Sequence, residues 1–257
     1  VSAWLHTLGP ARQPLVRLFC FPHAGGTSTA FRLWRDALPE QVELVGIQLP
    51  GRGGRLREPP ISDIPTLTRI ITSELLPSLD RPYAFFGHSM GSVLALEVAR
   101  AAVEAGRPAP AHIFLSARRP PHLPRLETDL HRLPDEAFLK LLNARYGGVP
   151  AEVLQEKELL DLLLPAVRAD ITALETFTPP EAEPASCAIT AYGGDADPLV
   201  TFDHLRAWRD YTSGAFRAKQ FRGGHFYLQN AKTELLADIN QVLTPLLMTA
   251  AEGRLVT

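Results

Sequence analysis

Gly87-His88-Ser89-Met90-Gly91 limits what this chain can fold into more than any other stretch. It reads G-x-S-x-G. Before it stand the turn Arg81-Pro82 and the short apolar run Tyr83-Ala84-Phe85-Phe86; after it, Ser92 to Arg100 is good helix-forming sequence. A strand that turns sharply into a helix at a glycine-flanked serine is a nucleophile elbow, and that elbow belongs to a parallel α/β sheet. The glycines are needed because so tight a turn leaves no room for Cβ atoms against the strand and helix it joins. The turn lifts the Ser89 hydroxyl to the carboxyl end of the sheet. It also places the Met90 N–H at a helix N-terminus, where it can hold an oxyanion. In isolation the same five residues would serve as a plain packing turn; the flanking strand and helix favour the nucleophile.

The rest of the chain alternates in the same way. Strands are expected at Leu15–Phe21, Val42–Gln48, from Tyr83, and at His112–Ser116, Ala188–Tyr192 and Phe216–Phe221. Helices are expected around Phe31–Ala37, from a cap at Ser62 or Asp63 to about Leu79, after Ser89, at Phe202–Tyr211 and at Lys232–Leu247. This order implies a mostly parallel central sheet flanked by helices, in one domain spanning 1–257. The segment from 248 reads as a flexible tail. One gap interrupts the rhythm. A parallel crossover needs only about a dozen residues, yet 117–186 separates two strands and reads helical, at Pro134–Ala144, at Val153–Leu164 and in a third helix starting on Pro165. Because it leaves the carboxyl end of a strand, where open α/β sheets bind ligands, it reads as a helical lid walling an acyl pocket. An elaborated crossover that only stabilises the sheet is the competing reading.

Composition narrows the class. A hydrophobic content of 46% and a net charge of -2 describe an ordinary globular chain, not a nucleic-acid-coating or disordered one. No apolar run is long enough to span a bilayer, and residues 1–13 lack the pattern of a signal peptide. Cys20 and Cys187 sit in apolar strand-like runs and read as buried reduced thiols rather than metal ligands. A cytoplasmic protein is the expectation.

A serine nucleophile needs a base. Of eight histidines, His225 is best placed, in Gly223-Gly224-His225-Phe226 just past the last expected strand. His112, His122, His131 and His204 read as surface or loop residues, and His88 as a structural neighbour of Ser89. The acid should follow the preceding strand, where Gly194-Asp195-Ala196-Asp197-Pro198 offers two aspartates. Asp197, fixed by Pro198 behind it, is preferred; Asp195 suits the turn itself. The loop Pro22-His23-Ala24-Gly25-Gly26 resembles the H-G-G-G loop of lipases and would supply the Ala24 N–H as partner to that of Met90.

Taken together, Pro22-His23-Ala24-Gly25-Gly26, Leu49-Pro50-Gly51-Arg52-Gly53, the Ser89 elbow, Gly194-Asp195-Ala196-Asp197-Pro198 and Gly223-Gly224-His225-Phe226-Tyr227 run in the order of a known family. The chain resembles the discrete type II thioesterases of polyketide synthase and nonribosomal peptide synthetase pathways, members of the α/β-hydrolase superfamily. Leu164 to Asp170 is similar to that family's lid helix, in which Arg-x-Asp is common. The resemblance implies a triad of Ser89, Asp197 and His225 and oxyanion donors at Ala24 and Met90, with no metal or organic cofactor. It also implies hydrolysis of aberrant acyl groups from the phosphopantetheine arm of an acyl or peptidyl carrier protein, by a cytoplasmic monomer without nucleic-acid or membrane partners. An acidic carrier would meet Arg118, Arg119 and Arg125, or Arg52, Arg55 and Arg57. Competing readings are a chain-releasing fatty acyl thioesterase, a general carboxylesterase or lipase, and a binding module on a hydrolase fold.

Overall fold

The computed structural model describes residues 2–124, 129–147 and 156–255. Seven strands form one sheet: β1 (Leu5–Thr7), β2 (Val16–Phe21), β3 (Val42–Ile47), β4 (Tyr83–His88), β5 (His112–Ser116), β6 (Ala188–Gly194) and β7 (Phe216–Phe221). Their order is β1-β3-β2-β4-β5-β6-β7; β1 is antiparallel to β3 and every other pairing is parallel. The strands from β2 to β6 are apolar almost without break because helices cover both faces. Alternate residues feed the two layers. Phe19, Phe21 and Phe85 pack with α1 (Ile64–Leu75) and α2 (Met90–Glu104) on one face. Leu18, Cys20, Phe86 and Phe114 pack on the other, against Leu235, Leu236 and Ile239 of the C-terminal helix. Both cysteines are free and buried, as expected.

Local signals set the helix starts. The Asp63 carboxylate accepts the Thr66 N–H at 2.8 Å, which caps α1 and is worth about 1 kcal/mol. Ile64, Leu67, Ile71 and Leu75 then fall on one buried stripe. Between β5 and β6 the chain forms α3 (Asp135–Tyr146) and α4 (Lys157–Thr176). Their facing side chains Phe138, Leu142, Leu164 and Ile171 join Leu130 in a small separate core, with Ala24 and Val167 packed against it. Beyond β6 come α5 (Phe202–Arg206), α6 (Tyr227–Asn230) and α7 (Lys232–Leu255). Among the described residues no helix is long and apolar enough to cross a membrane.

The structure departs from the sequence reading in four places. Strand β1 went unread because three residues carry no periodicity. The expected helix at Phe31–Ala37 is a 3-10 helix over Ser28–Ala37, whose i, i+3 pair Phe31 and Trp34 turns toward the sheet. Pro165 does not open a third helix; it lies inside α4. A proline there removes a hydrogen bond to the preceding turn, but Leu164, Ala166, Asp170, Ile171 and Ala173 are buried around it and hold the helix through. The first residues of the expected Val153–Leu164 helix lie outside the described residues. Finally, α7 continues past Leu247 to Leu255, so the segment set aside as a tail is helical over most of its length.

Candidate active site

Ser89 sits between β4 and α2 with φ 54 and ψ -114, outside the relaxed regions for a residue with a side chain; such a conformation costs about 1–3 kcal/mol and must be imposed by its surroundings. They are visible. The Ser89 N–H donates to the Ser116 carbonyl at 2.8 Å. The Ser92 hydroxyl donates to the carbonyls of Gly87 and Ser116, at 2.8 and 2.9 Å. A Cβ on Gly87 would lie 2.1 Å from the Gly91 carbonyl oxygen, and one on Gly91 would lie 2.0 Å from that of Phe21. Both glycines of the motif are therefore steric necessities.

The structure brings His225 and Asp197 to this serine. His225 Nε2 lies 3.0 Å from Ser89 Oγ, and His225 Nδ1 lies 2.8 Å from Asp197 Oδ2. All three are buried. The other Asp197 oxygen accepts the Leu199 N–H at 2.9 Å, just beyond Pro198. Asp195 points elsewhere, accepting the Gly223 N–H at 2.9 Å and tying the two loops together. The line can take a proton from the serine and hold the resulting imidazolium against a carboxylate.

Met90 and Ala24 both lie beside Ser89. Met90 is the first residue of α2. Ala24 lines, with Ser89, His225, Leu142, Tyr146 and Val167, a cavity of about 90 Å³. Its loop is pinned from two sides. The Gly26 N–H donates to the His23 carbonyl at 2.8 Å, and the Gly25 N–H donates to Asp170 of α4 at 2.7 Å. Asp170 also receives both terminal nitrogens of Arg52, Nη2 at 2.8 Å to Oδ1 and Nη1 to Oδ2. Helix α4, the Ala24 loop and the Pro50-Gly51-Arg52 turn are thus joined through one buried carboxylate.

A model of the thioesterase domain matches residues 16–243. The chain belongs to the thioesterase family. It is a hydrolase acting on thioesters, built on the α/β-hydrolase sheet, and its relatives lie in polyketide and nonribosomal peptide pathways. The linear gramicidin protein LgrE of Brevibacillus parabrevis is 40% identical, over 94% of this chain and 93% of its own. Its full name speaks of a dehydrogenase, but the G-x-G-x-x-G run that cradles a dinucleotide occurs nowhere in the present sequence. Among solved structures, the type II thioesterase BorB of the borrelidin cluster superposes with a TM-score of 0.85 at 36% identity, over 94% of this chain and 98% of its own. The RedJ thioesterase of the prodiginine pathway of Streptomyces coelicolor gives 0.84 at 38%, over 91% and 88%.

Several residues of this thioesterase differ from their sequence reading. Arg52 does not face a partner: it is 1% exposed and spent on Asp170. Arg55 is engaged by Glu58, the Gln48 carbonyl and the Trp4 ring. Arg118 is half-buried with its Nε sealed from solvent, Arg119 donates to the Pro124 carbonyl, and Arg57 alone of the described set is exposed. Arg125 lies outside the described residues. His112 is no surface residue; it is buried in β5 with Nε2 2.8 Å from Thr190 Oγ1, and burial pushes its pKa down to about 4. His88 is the structural neighbour expected, its Nδ1 2.9 Å from Ser116 Oγ, which in turn meets the Tyr227 hydroxyl.

His23 was missed as part of the site. Its ring packs on Phe226 and His88, and burial, then the nearby His225 and Arg52, pushes its pKa down to about 4. His88 is pushed well down by burial, then by His225 and His23. Both rings are therefore neutral near pH 7, leaving the line through His225 without a competing imidazolium beside it. Tyr146, edge-on to the His225 ring at 5.0 Å, was also missed; nothing in its sequence surroundings marks it.

Proposed function

We propose that this thioesterase clears unwanted acyl groups from the phosphopantetheine arm of acyl or peptidyl carrier proteins, with Ser89 as nucleophile. The observation that carries the reading is the line Ser89–His225–Asp197 opening on an apolar cavity beneath α3 and α4. His225 accepts the Ser89 proton as Oγ attacks the thioester carbonyl. The N–H groups of Ala24 and Met90 hold the developing oxyanion. His225 returns the proton to the departing pantetheine sulfur as the C–S bond breaks and acyl-Ser89 remains. Water, deprotonated by His225, attacks the ester, and the proton passes back to Ser89 as the free acid leaves. Asp197 orients the imidazole and offsets its charge. The pantetheine belongs to the substrate, and side chains and backbone carry the chemistry without a cofactor.

On this reading α3 and α4 are a lid, with Leu142, Val167 and Ile171 as the acyl wall. The enzyme acts as a cytoplasmic monomer, and the carrier approaches over Arg57. The test compares kcat/KM for one acyl group on a carrier protein, on a short pantetheine and on p-nitrophenol. The carrier-bound thioester is expected to be preferred. A preference for the phenyl ester with no gain from the carrier would make the protein a general esterase.

A further inference from the structure

Past the cavity at Ser89 lies a second one of about 280 Å³. The two share Tyr146, Ile171 and Leu174 as wall residues, so the ring that packs on His225 borders both. Most of the second cavity is apolar, from Val93, Pro120, Leu123 and Phe177. Its charged lining is Arg118, Arg119, Arg145, Asp129 and Glu175.

The carboxylates there are already engaged. Glu175 accepts the N–H groups of Leu130 and His131 and pairs with the His131 ring at 2.6 Å. Asp129 pairs with Arg132 at 3.3 Å. Arg119 donates to the Pro124 carbonyl. Arg118 differs. It follows Ala117, which holds φ 50, a left-handed conformation that a residue with a Cβ adopts at a cost. The Ala117 N–H is tied to the Tyr192 carbonyl at 2.8 Å and the Arg118 carbonyl to Trp208 Nε1 at 2.7 Å. The backbone is thus fixed while, among the described residues, Nε has no hydrogen-bond partner and no solvent. Burial, reinforced by Arg119, pushes the guanidinium pKa down, and Tyr146 partly opposes this. A guanidinium N–H with neither acceptor nor water is unfavourable, and a turn of the half-buried side chain toward an anion brought into the cavity by the substrate would relieve it.

We infer that Arg118 forms an anion subsite of the substrate chamber, binding an oxyanion remote from the scissile thioester. Two parts of the proposed substrate supply one: a carboxylate on the acyl chain, or the phosphate of the pantetheine arm. The inference rests on the thioester-hydrolase reading of Ser89.

The test measures kcat/KM for hexanoyl-pantetheine, adipoyl-pantetheine and hexanoyl-phosphopantetheine on the wild type, Arg118→Met and Arg118→Glu. Ratios are taken within each protein, so the active fraction cancels. A hydrogen-bonded charge pair implies that the adipoyl/hexanoyl ratio falls ~10- to 100-fold in Arg118→Met and further in Arg118→Glu. That outcome assigns the subsite to an acyl carboxylate. The same fall in the phosphopantetheine/pantetheine ratio instead assigns it to the arm. Both ratios unmoved in variants that still turn over hexanoyl-pantetheine would overturn the subsite. Failure of the wild type to hydrolyse any of the three would overturn the Ser89 reading rather than this one.

Discussion

Asp170→Ala should destabilise this protein more than its distance in sequence from the site suggests. The carboxylate is fully buried, Arg52 is 1% exposed, and the pair is bidentate. Removing one member of such a pair leaves a buried charge without its partner, at a cost of about 3–5 kcal/mol. The Gly25 N–H, 2.7 Å from the same carboxylate, loses its acceptor too, which alone costs about 1–3 kcal/mol and overlaps the first figure. At roughly 2–4 °C per kcal/mol for a chain of this size, Tm should fall by about 6–20 °C. Arg52→Met should cost a similar amount, because it strands the carboxylate instead. The double variant Arg52→Met/Asp170→Leu should recover most of the loss, since apolar residues of similar volume often replace a buried pair at little cost. Urea unfolding of wild type, Arg52→Met, Asp170→Leu and the double variant, with midpoints read at constant m, closes the cycle. Single variants within about 1 kcal/mol of wild type, or a double variant that merely sums the two losses, would refute the reasoning and mean that the pair is not desolvated.

Asp197→Asn should lower kcat by on the order of ten-thousandfold, as loss of an imidazole-orienting carboxylate does, while Asp195→Asn costs little; steady-state kinetics on a short thioester separate them, and the opposite order would exchange their roles. Stability should also depend on His112. Its folded pKa of about 4 lies below the unfolded value of about 6.5, so the unfolded chain binds more protons between these values, and stability present above pH 6.5 is lost as pH falls toward 4. His112→Gln should lose less Tm over that window than wild type; identical pH profiles would mean that His112 titrates alike in both states.

Much of this was legible in the chain, and the reasons are local. Ser89 was readable because two glycines, a strand and a helix at fixed offsets leave few alternatives, and the structure places carbonyl oxygens where their Cβ atoms would be. Asp197 and His225 were readable because each follows a strand of the same parallel sheet, so the ends converge. Arg52 was misread because an arginine in a Gly-rich turn looks solvated; its burial depends on Asp170, 118 residues away. Pro165 marks a helix start by local propensity, and only the packing of Leu164, Ala166 and Ile171 overrides it. Tyr146 and His23 enter the site through tertiary contacts alone. Motifs at strand ends are written in the sequence, and buried side-chain pairing such as Arg52–Asp170 is not.

The central claim, that Ser89 carries the acyl group during thioester hydrolysis, is tested most directly by intact-protein and peptide mass spectrometry. Quenched reactions with an acylated carrier protein would be sampled in the first turnovers. The account predicts a transient mass gain equal to the acyl group, confined to the peptide holding Ser89 and absent in Ser89→Ala, with free carrier thiol released as it forms. Thiol release at the wild-type rate in Ser89→Ala, or an acyl group carried on any other residue, would contradict it.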